Sequence, residues 1–328
     1  MVCADRNIGF HDNHSVAYCL IGYVCAYLRY YHPYEFITSY LNNAANSDDI
    51  MSGTELARVY GIGMSPPRWG LSSDRYIYNK EKSVIAKGLE SIKFLNANIA
   101  KEMYEISKET KFEFFVDLLL RLKTTSLDSR QLNILILTDF FAEFGKSAEL
   151  LRITQWFTYL KSGDAKQIKK GKSDDEEVES IIGQYATDRN AKGDILKSYT
   201  ITDMHGLLVA GEKKIRDLSL PDLDLKLKME AQREYLGYVD LTTGKAEDRF
   251  RLYVEEIAPM KDKNTGKPWC YRMSARSIGT GRTTRLSIKP NAYSETPIKA
   301  GDVIDTRPED YYKNSKGYWY LVMYEKAI

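Results

Sequence analysis

From Asn13 to Arg29 the chain is apolar on nearly every side, with Asn13 placed as an N-cap. That pattern predicts a helix enclosed by other elements rather than lying on a surface. Pro33 stops it, and Tyr34 to Asn43 reads as a second short helix. A polar loop over 42–52, a short helix from Glu55 to Tyr60 ended by Gly61, and a Pro/Gly-rich extended stretch from Gly63 to Ser73 follow. Helical signals then dominate. Ile99 to Lys108, Phe112 to Leu122, Ser129 to Thr138 and Ser147 to Leu160 repeat apolar residues at three- and four-residue spacings. The short connections between them imply closely packed helix pairs.

The pattern breaks at Lys161 to Glu179, where a basic block precedes an acidic block and isoleucine is the one large apolar residue type besides valine at the end. Such a segment reads as a mobile linker. A modest helical zone continues to Tyr235, with Pro221 suited to a first helical turn. After Leu236 the chain becomes extended. Phe250 to Ala258, Trp269 to Ile278, Thr283 to Lys289, Asp302 to Arg307 and Tyr318 to Glu325 are β-branched and aromatic runs, bounded by turns such as Asn264-Thr265-Gly266 and Gly279-Thr280-Gly281. Five strands at this spacing predict a small Greek-key barrel of the OB type, with a sandwich as the alternative. The fold class is therefore multidomain α + β, with a helical N-terminal two-thirds and a C-terminal five-stranded OB-like β-barrel.

Composition narrows the function. With 328 residues the chain is long enough for two or three domains with real cores. Lys and Arg number 47 against 45 Asp and Glu, so a uniformly basic nucleic-acid coat is excluded and any polyanion contact must come from local clustering. The four cysteines (Cys3, Cys19, Cys25, Cys270) form no CxxC pair, which supports neither a zinc ribbon nor a disulfide framework and fits a reducing cytoplasm. The longest apolar run, Val16 to Leu28, is too short to span a bilayer, and its acidic flank is unlike a signal peptide. A soluble intracellular protein without membrane partners is expected.

Local clustering is present in the β-region. Lys261, Lys263, Lys267, Arg272, Arg276, Arg282, Arg285, Lys289 and Lys299 stand against two acids, Asp262 and Glu295. Arg272 and Arg276 share one strand face, with Met273, Ala275 and Ser277 on the other. With Trp269, Tyr271 and Tyr293 nearby, this set offers cations for phosphates and π-faces for unpaired bases; a solvated barrel with its aromatics in the core is the competing reading. Asp222 and Asp224 lack a third acid for a two-metal site and fit the positive end of a helix better. The four histidines lack zinc-ligand spacing, and no P-loop, nucleophile elbow or dinucleotide motif occurs. No catalytic or metal-binding residue is predicted.

An ordered series of motifs carries a likeness. Phe10-His11-Asp12-Asn13-His14-Ser15-Val16-Ala17-Tyr18, Ala26-Tyr27-Leu28 and Tyr31-His32-Pro33-Tyr34-Glu35-Phe36 resemble the end of the fingers region in C-family replicative DNA polymerases, the bacterial DNA polymerase III alpha subunits and their phage relatives. Pro66-Pro67 and Gly88-Leu89-Glu90-Ser91-Ile92-Lys93 resemble the segment leading into that family's helix-hairpin-helix domain. Arg130 to Gly145 resembles its second hairpin, and Glu234-Tyr235-Leu236-Gly237 the junction before its OB domain.

The resemblance implies a fingers-like segment over 1–48, a helix-hairpin-helix domain over 49–163, linker and connector helices over 164–235 and an OB-like barrel over 236–328. It implies non-catalytic binding of template-primer duplex and single-stranded template during DNA replication in a bacterial cell or phage-infected bacterium. Lys93, Asn96, Arg130, Trp269, Tyr271, Arg272, Arg276, Arg282, Arg285 and Lys289 would contact DNA, with His14 and Tyr18 on the nucleotide side of a complete enzyme. The family's metal-binding aspartates belong to a palm that would lie before Met1. The chain alone is thus expected to be an inactive nucleotidyltransferase relative with no cofactor of its own, Mg²⁺ belonging to that palm. A polymerase N-terminal half and a sliding clamp are the implied protein partners, although nothing from Lys161 to Leu220 matches the family's clamp peptide.

Two departures stand out. The family's Ile-Lys-Gly-Val-Gly is here Ile92-Lys93-Phe94-Leu95-Asn96, in which Asn96 is the residue expected to turn left-handed. The second hairpin has Thr138-Asp139-Phe140 where a glycine is usual. Loss of those glycines supports a rival reading as a protein-interaction scaffold or split-polymerase subunit without direct DNA grip.

Overall fold

The computed structural model describes residues 8–109, 111–171, 176–190, 192–237 and 239–327, and the side chains of these except 8–14, 47, 48, 51, 176 and 177. They form two compact units, divided between Asp222 and Leu223.

The first unit opens with α1 (Ile8–Tyr31), which Pro33 separates from α2 (Pro33–Asn42). Asn13 lies inside α1 rather than at its cap. The expected enclosure is also missing: residues 15–31 are exposed throughout, with Val16, Tyr23 and Tyr30 each about 70% accessible at 68, 69 and 71%. Nothing among the described residues covers this helix. α3 (Ser47–Val59) starts inside the expected polar loop because Asn46 caps it, its Oδ1 accepting from the Asp49 amide at 2.9 Å. A small sheet follows, built from β1 (Gly63–Ser65), β2 (Ile77–Asn79) and β3 (Val84–Ala86), with β3 central, parallel to β1 and antiparallel to β2. Ile37, Leu41, Ala57, Ile62 and Ile85 make its core with α2 and α3.

Four helices come next at the expected places: α4 (Ala97–Glu109), α5 (Phe115–Leu122), α6 (Ser129–Leu137) and α7 (Ser147–Tyr159). α6 begins where it does because Asp128 and Gln131 form a reciprocal capping box. Trp69 sits among Phe112, Phe140, Phe141 and Phe144, and its amide donates to the Phe140 carbonyl at 2.9 Å. This ties the extended stretch after β1 to the second hairpin.

The expected linker holds structure. Gln167–Lys169 is a strand, β4, followed by α8 (Glu176–Gln184), β5 (Ala186–Arg189), β6 (Ile195–Ile201) and α9 (Met204–Asp217). The three strands form an antiparallel sheet with β6 central. Ile168, isolated in a polar sequence, is buried there, and a three-residue strand needs no more. α9 returns to the four helices through Glu212, which is fully buried. Its carboxylate accepts from the Phe115 and Val116 amides at 3.0 and 2.8 Å, the first turn of α5, and from Arg216 Nε and Nη2 at 2.9 and 2.6 Å. Gly211 lets α9 pass close to α7, since a Cβ there would lie 2.1 Å from Trp156 Nε1.

The second unit opens with α10 (Leu225–Leu236), ended by Gly237 in the left-handed conformation. The strands are β7 (Arg251–Lys261), β8 (Pro268–Ser277), β9 (Thr283–Ile288), β10 (Val303–Asp305), β11 (Tyr311–Lys313), β12 (Trp319–Leu321) and β13 (Glu325–Lys326), with the short helix α11 (Pro290–Glu295) after β9. They make one curled sheet in the order β11-β12-β9-β8-β7-β10-β13. An antiparallel meander β7-β8-β9, a helix, then β10 antiparallel to β7 and β12 parallel to β9 is an OB-like half-barrel. Its strands number seven rather than five because β11 and β13 are short pieces flanking the last expected run. Leu252, Val254, Met273, Ala275, Leu286, Ile288, Ile304 and Leu321 fill it. Tyr324 closes the core with its hydroxyl donating to the Thr296 carbonyl at 2.7 Å, and burial pushes that hydroxyl up to about 12. No described helix in either unit is long and apolar enough to cross a membrane.

Candidate nucleic-acid interface

In the barrel, alternation along β8 sets the chemistry of each face. Met273 and Ala275 are fully buried, which turns Arg272, Ser274 and Arg276 outward. Register pairs Arg272 with Ser287 and Ser274 with Arg285, so Arg272 and Arg285 stand diagonally on adjacent strands of one face. Both are exposed, and among the described residues no carboxylate lies within ion-pair distance of either. They line a groove of 440 Å³ together with Met260, Glu256, Tyr318 and Trp319. Trp319 is 47% exposed and Tyr318 58%. Cations beside open aromatic faces on the strand 2–3 surface of an OB-like barrel suit a backbone phosphate and an adjoining base.

The other barrel residues singled out from sequence fall elsewhere. Arg276 is ion-paired to Asp240, so its charge is neutralised within the unit. Tyr271 stacks on Tyr293 at 3.7 Å and packs on the core, as the competing reading had it. Trp269 is exposed at the start of β8, apart from the groove lining. Arg282 is exposed at the β8–β9 turn, and Lys289 sits 5.5 Å from the Tyr312 ring. Tyr318 and Trp319 are legible as an aromatic run but lie beyond Lys299, the last residue of the basic cluster, and the parallel pairing of β12 with β9 brings them to it.

In the helical unit the hairpins keep their left-handed turns without glycine. Phe94 has φ +71° and Asp139 φ +60°. Asn96, expected to turn left-handed, instead caps α4, its Oδ1 accepting from the Ile99 amide at 3.0 Å. Lys93 is exposed beside it. Arg130, at the start of α6, lays its guanidinium 3.9 Å over the Phe94 ring, and Gln131 Nε2 donates to the Phe94 carbonyl at 2.8 Å. One sequence-predicted cation thus meets the first hairpin from the second. Tyr18 is 62% exposed on α1, while the His14 side chain lies outside the described residues. Asp222 does meet a helix start, but that of α7, accepting from the Ala148 amide at 3.3 Å. Among the described residues no three acidic, histidine or cysteine side chains gather as a metal site.

This geometry agrees with what the chain is similar to. Residues 61–151, from β1 into α7, match the family described as the helix-hairpin-helix motif. The DNA polymerase III subunit alpha of Bacillus subtilis is 31% identical over 146 residues, 44% of this chain and 13% of that protein. The same subunit of Thermus aquaticus is 30% identical over 154 residues, 46% and 12% respectively, and that of Ureaplasma parvum 26% over 138 residues, 42% and 14%. The chain therefore contains a C-family polymerase alpha-like region bearing a helix-hairpin-helix motif. The matched stretch is 12–14% of the length of these relatives.

Proposed function

We propose that this chain is a non-catalytic DNA-handling part of a bacterial replicative polymerase, working in the cytoplasm. The helix-hairpin-helix unit holds template-primer duplex, and the barrel groove takes single-stranded template. The metal-dependent chemistry, Mg²⁺ included, belongs to a palm that these residues do not form. The carrying observation is the groove in which Arg272 and Arg285 stand beside Tyr318 and Trp319. Two neutralised phosphates give a slope of about −1.4 in log affinity against log salt for a single strand. Fluorescence anisotropy with labelled oligonucleotides at several salt concentrations reads this. Salt-independent or undetectable binding sinks the proposal. Trp319→Ala is expected to weaken single-strand binding about tenfold, the value of one base stacked on a ring.

One observation supports an added partner. The exposed apolar length of α1 demands a cover, which fits a split polymerase whose N-terminal half encloses this helix. Co-purification with such a half, lost on Leu20→Glu/Val24→Glu substitution, tests it; a sliding clamp belongs in the same assay as a second bait.

A further inference from the structure

The barrel unit holds a second groove, of 330 Å³, between α10 and the turn that enters β10. Four cations line it, Lys226 and Arg233 from α10, Lys299 from the turn and Lys326 from β13, against Glu230 and Asp302. Asp302 is already engaged: its buried carboxylate accepts from Lys326 Nζ at 2.9 Å and from the Lys299 amide at 2.8 Å. Among the described residues no carboxylate lies within ion-pair distance of Lys226, Arg233 or Lys299, and Glu230 pairs with no cation. Three unpaired cations therefore face one exposed carboxylate.

Two features are more specific than charge. Arg233 is fixed in place, its Nη1 donating to the Ala300 carbonyl at 3.1 Å. The guanidinium occupies the space that a side chain at position 301 would take, since a Cβ on Gly301 would lie 2.1 Å from Nη1. Held by one N–H, it keeps its remaining donors unspent. Tyr253 is the second feature. Its ring packs with Met229, Ile278 and Val303, and the residue is 5% exposed, yet its hydroxyl has no hydrogen-bond partner among the described residues. A phenylalanine would fill that core as well, and buried hydroxyls ordinarily find a partner. Burial holds this hydroxyl above its usual range, so it is protonated and able to donate, while the Arg233 charge reaches it to lower it and Glu255 to raise it. Glu255 does not line the groove and accepts from Ser274 Oγ at 3.0 Å. A fixed guanidinium, a neutral hydroxyl and two ammonium groups complement a tetrahedral oxyanion.

We propose that this groove binds a phosphate group: Arg233 and the Tyr253 hydroxyl donate to its oxygens, and Lys226 and Lys299 neutralise its charge. A DNA backbone and a small nucleotide present the same oxygens to these donors. The site does not depend on the groove of Arg272 and Arg285.

Three probes offered to the full chain separate the sources: thymidine monophosphate and thymidine by calorimetry, and a labelled oligothymidylate without terminal phosphates by fluorescence anisotropy. Tyr253→Phe is expected to weaken a phosphate-bearing probe about tenfold, the value of one hydrogen bond to a charged group, and Lys226→Gln/Lys299→Gln to weaken it at least as much. These losses on the monophosphate identify a nucleotide, on the oligonucleotide a DNA backbone, and on both a site that reads phosphate from either. Tyr253→Phe melts with the wild type, because its hydroxyl has no partner to lose; a melt well below wild type reveals an internal partner and overturns the proposal. Losses confined to the lysine variant overturn it as general charge attraction, as does thymidine bound as tightly as its monophosphate. An unbound monophosphate together with an oligonucleotide that all variants bind as the wild type does also overturns it, and the DNA-handling reading then stands. A wild type that binds neither phosphate-bearing probe overturns both.

Discussion

The two hairpins make the same backbone demand and meet it in opposite surroundings. At the second, Asp139 turns left-handed with its carboxylate 2.8 Å from Ser147 Oγ, flanked by buried Phe140 and Phe141 and next to the Trp69 cluster. Beyond it, Arg216 links the buried Glu212 to Glu149 of α7. At the first, Phe94 turns left-handed at the surface, with the Arg130 guanidinium over its ring. A turn residue can thus be chosen by what surrounds the turn as well as by φ. Inside, a short polar side chain finds a hydrogen-bond partner; at the surface, a bulky ring is met by a guanidinium.

The largest expected effect tests whether the second hairpin is held by its buried network. Glu212→Ala leaves two buried α5 amides without their acceptor and Arg216 with Glu149 as its remaining carboxylate, and is expected to cost the helical unit about 3–5 kcal/mol in a denaturant melt. A loss under about 1 kcal/mol would show that the second hairpin is no more fixed than the first. Next, Asp139→Ala keeps the left-handed demand but removes the bond to Ser147, for an expected loss of about 1–2 kcal/mol, while Asp139→Asn recovers most of it. Phe94→Gly should move stability the other way, upward by about 0.5–1 kcal/mol. Were both substitutions to destabilise alike, the contrast between the hairpins would fail.

A pH titration assigns melts to units. Burial raises the Tyr324 hydroxyl from 10.0 to about 12, so the folded barrel holds a proton that the unfolded chain releases first. That contribution is complete below pH 10 and is lost as the pH climbs to about 12. A transition weakened less over this window in Tyr324→Phe than in wild type belongs to the barrel, where burial raises Tyr253 and Tyr311 as well; one that the substitution leaves unchanged belongs to the helical unit, where burial raises Tyr76 and Tyr159.

Much of this was legible from the chain. The helices α4 to α7 and the strands β7 to β10 follow apolar periods that local packing enforces, and Arg272 and Met273 fall on opposite faces as alternation requires. What escaped depends on distant residues. The apolar character of α1 declared a need for cover but not where the cover resides. Ile168 is the one buried residue of a three-residue strand in a polar stretch, too short a signal to read as a strand. The pairing of Arg276 with Asp240 spans 36 residues, and the groove needs β12 beside β9. Intrinsic preference alone favours Asn96 over Phe94 for the left-handed turn; the cap of α4 claims the asparagine, and the turn falls two residues earlier.

The Glu212 carboxylate also carries a timetable. During synthesis the start of α5 is made 97 residues before its acceptor arrives. At about 5–20 residues per second, the ribosome leaves that helix start open for roughly 5–20 s. Throughout that interval the nascent hairpins are a substrate for chaperones, and a polypeptide cut short after α7 would stay one.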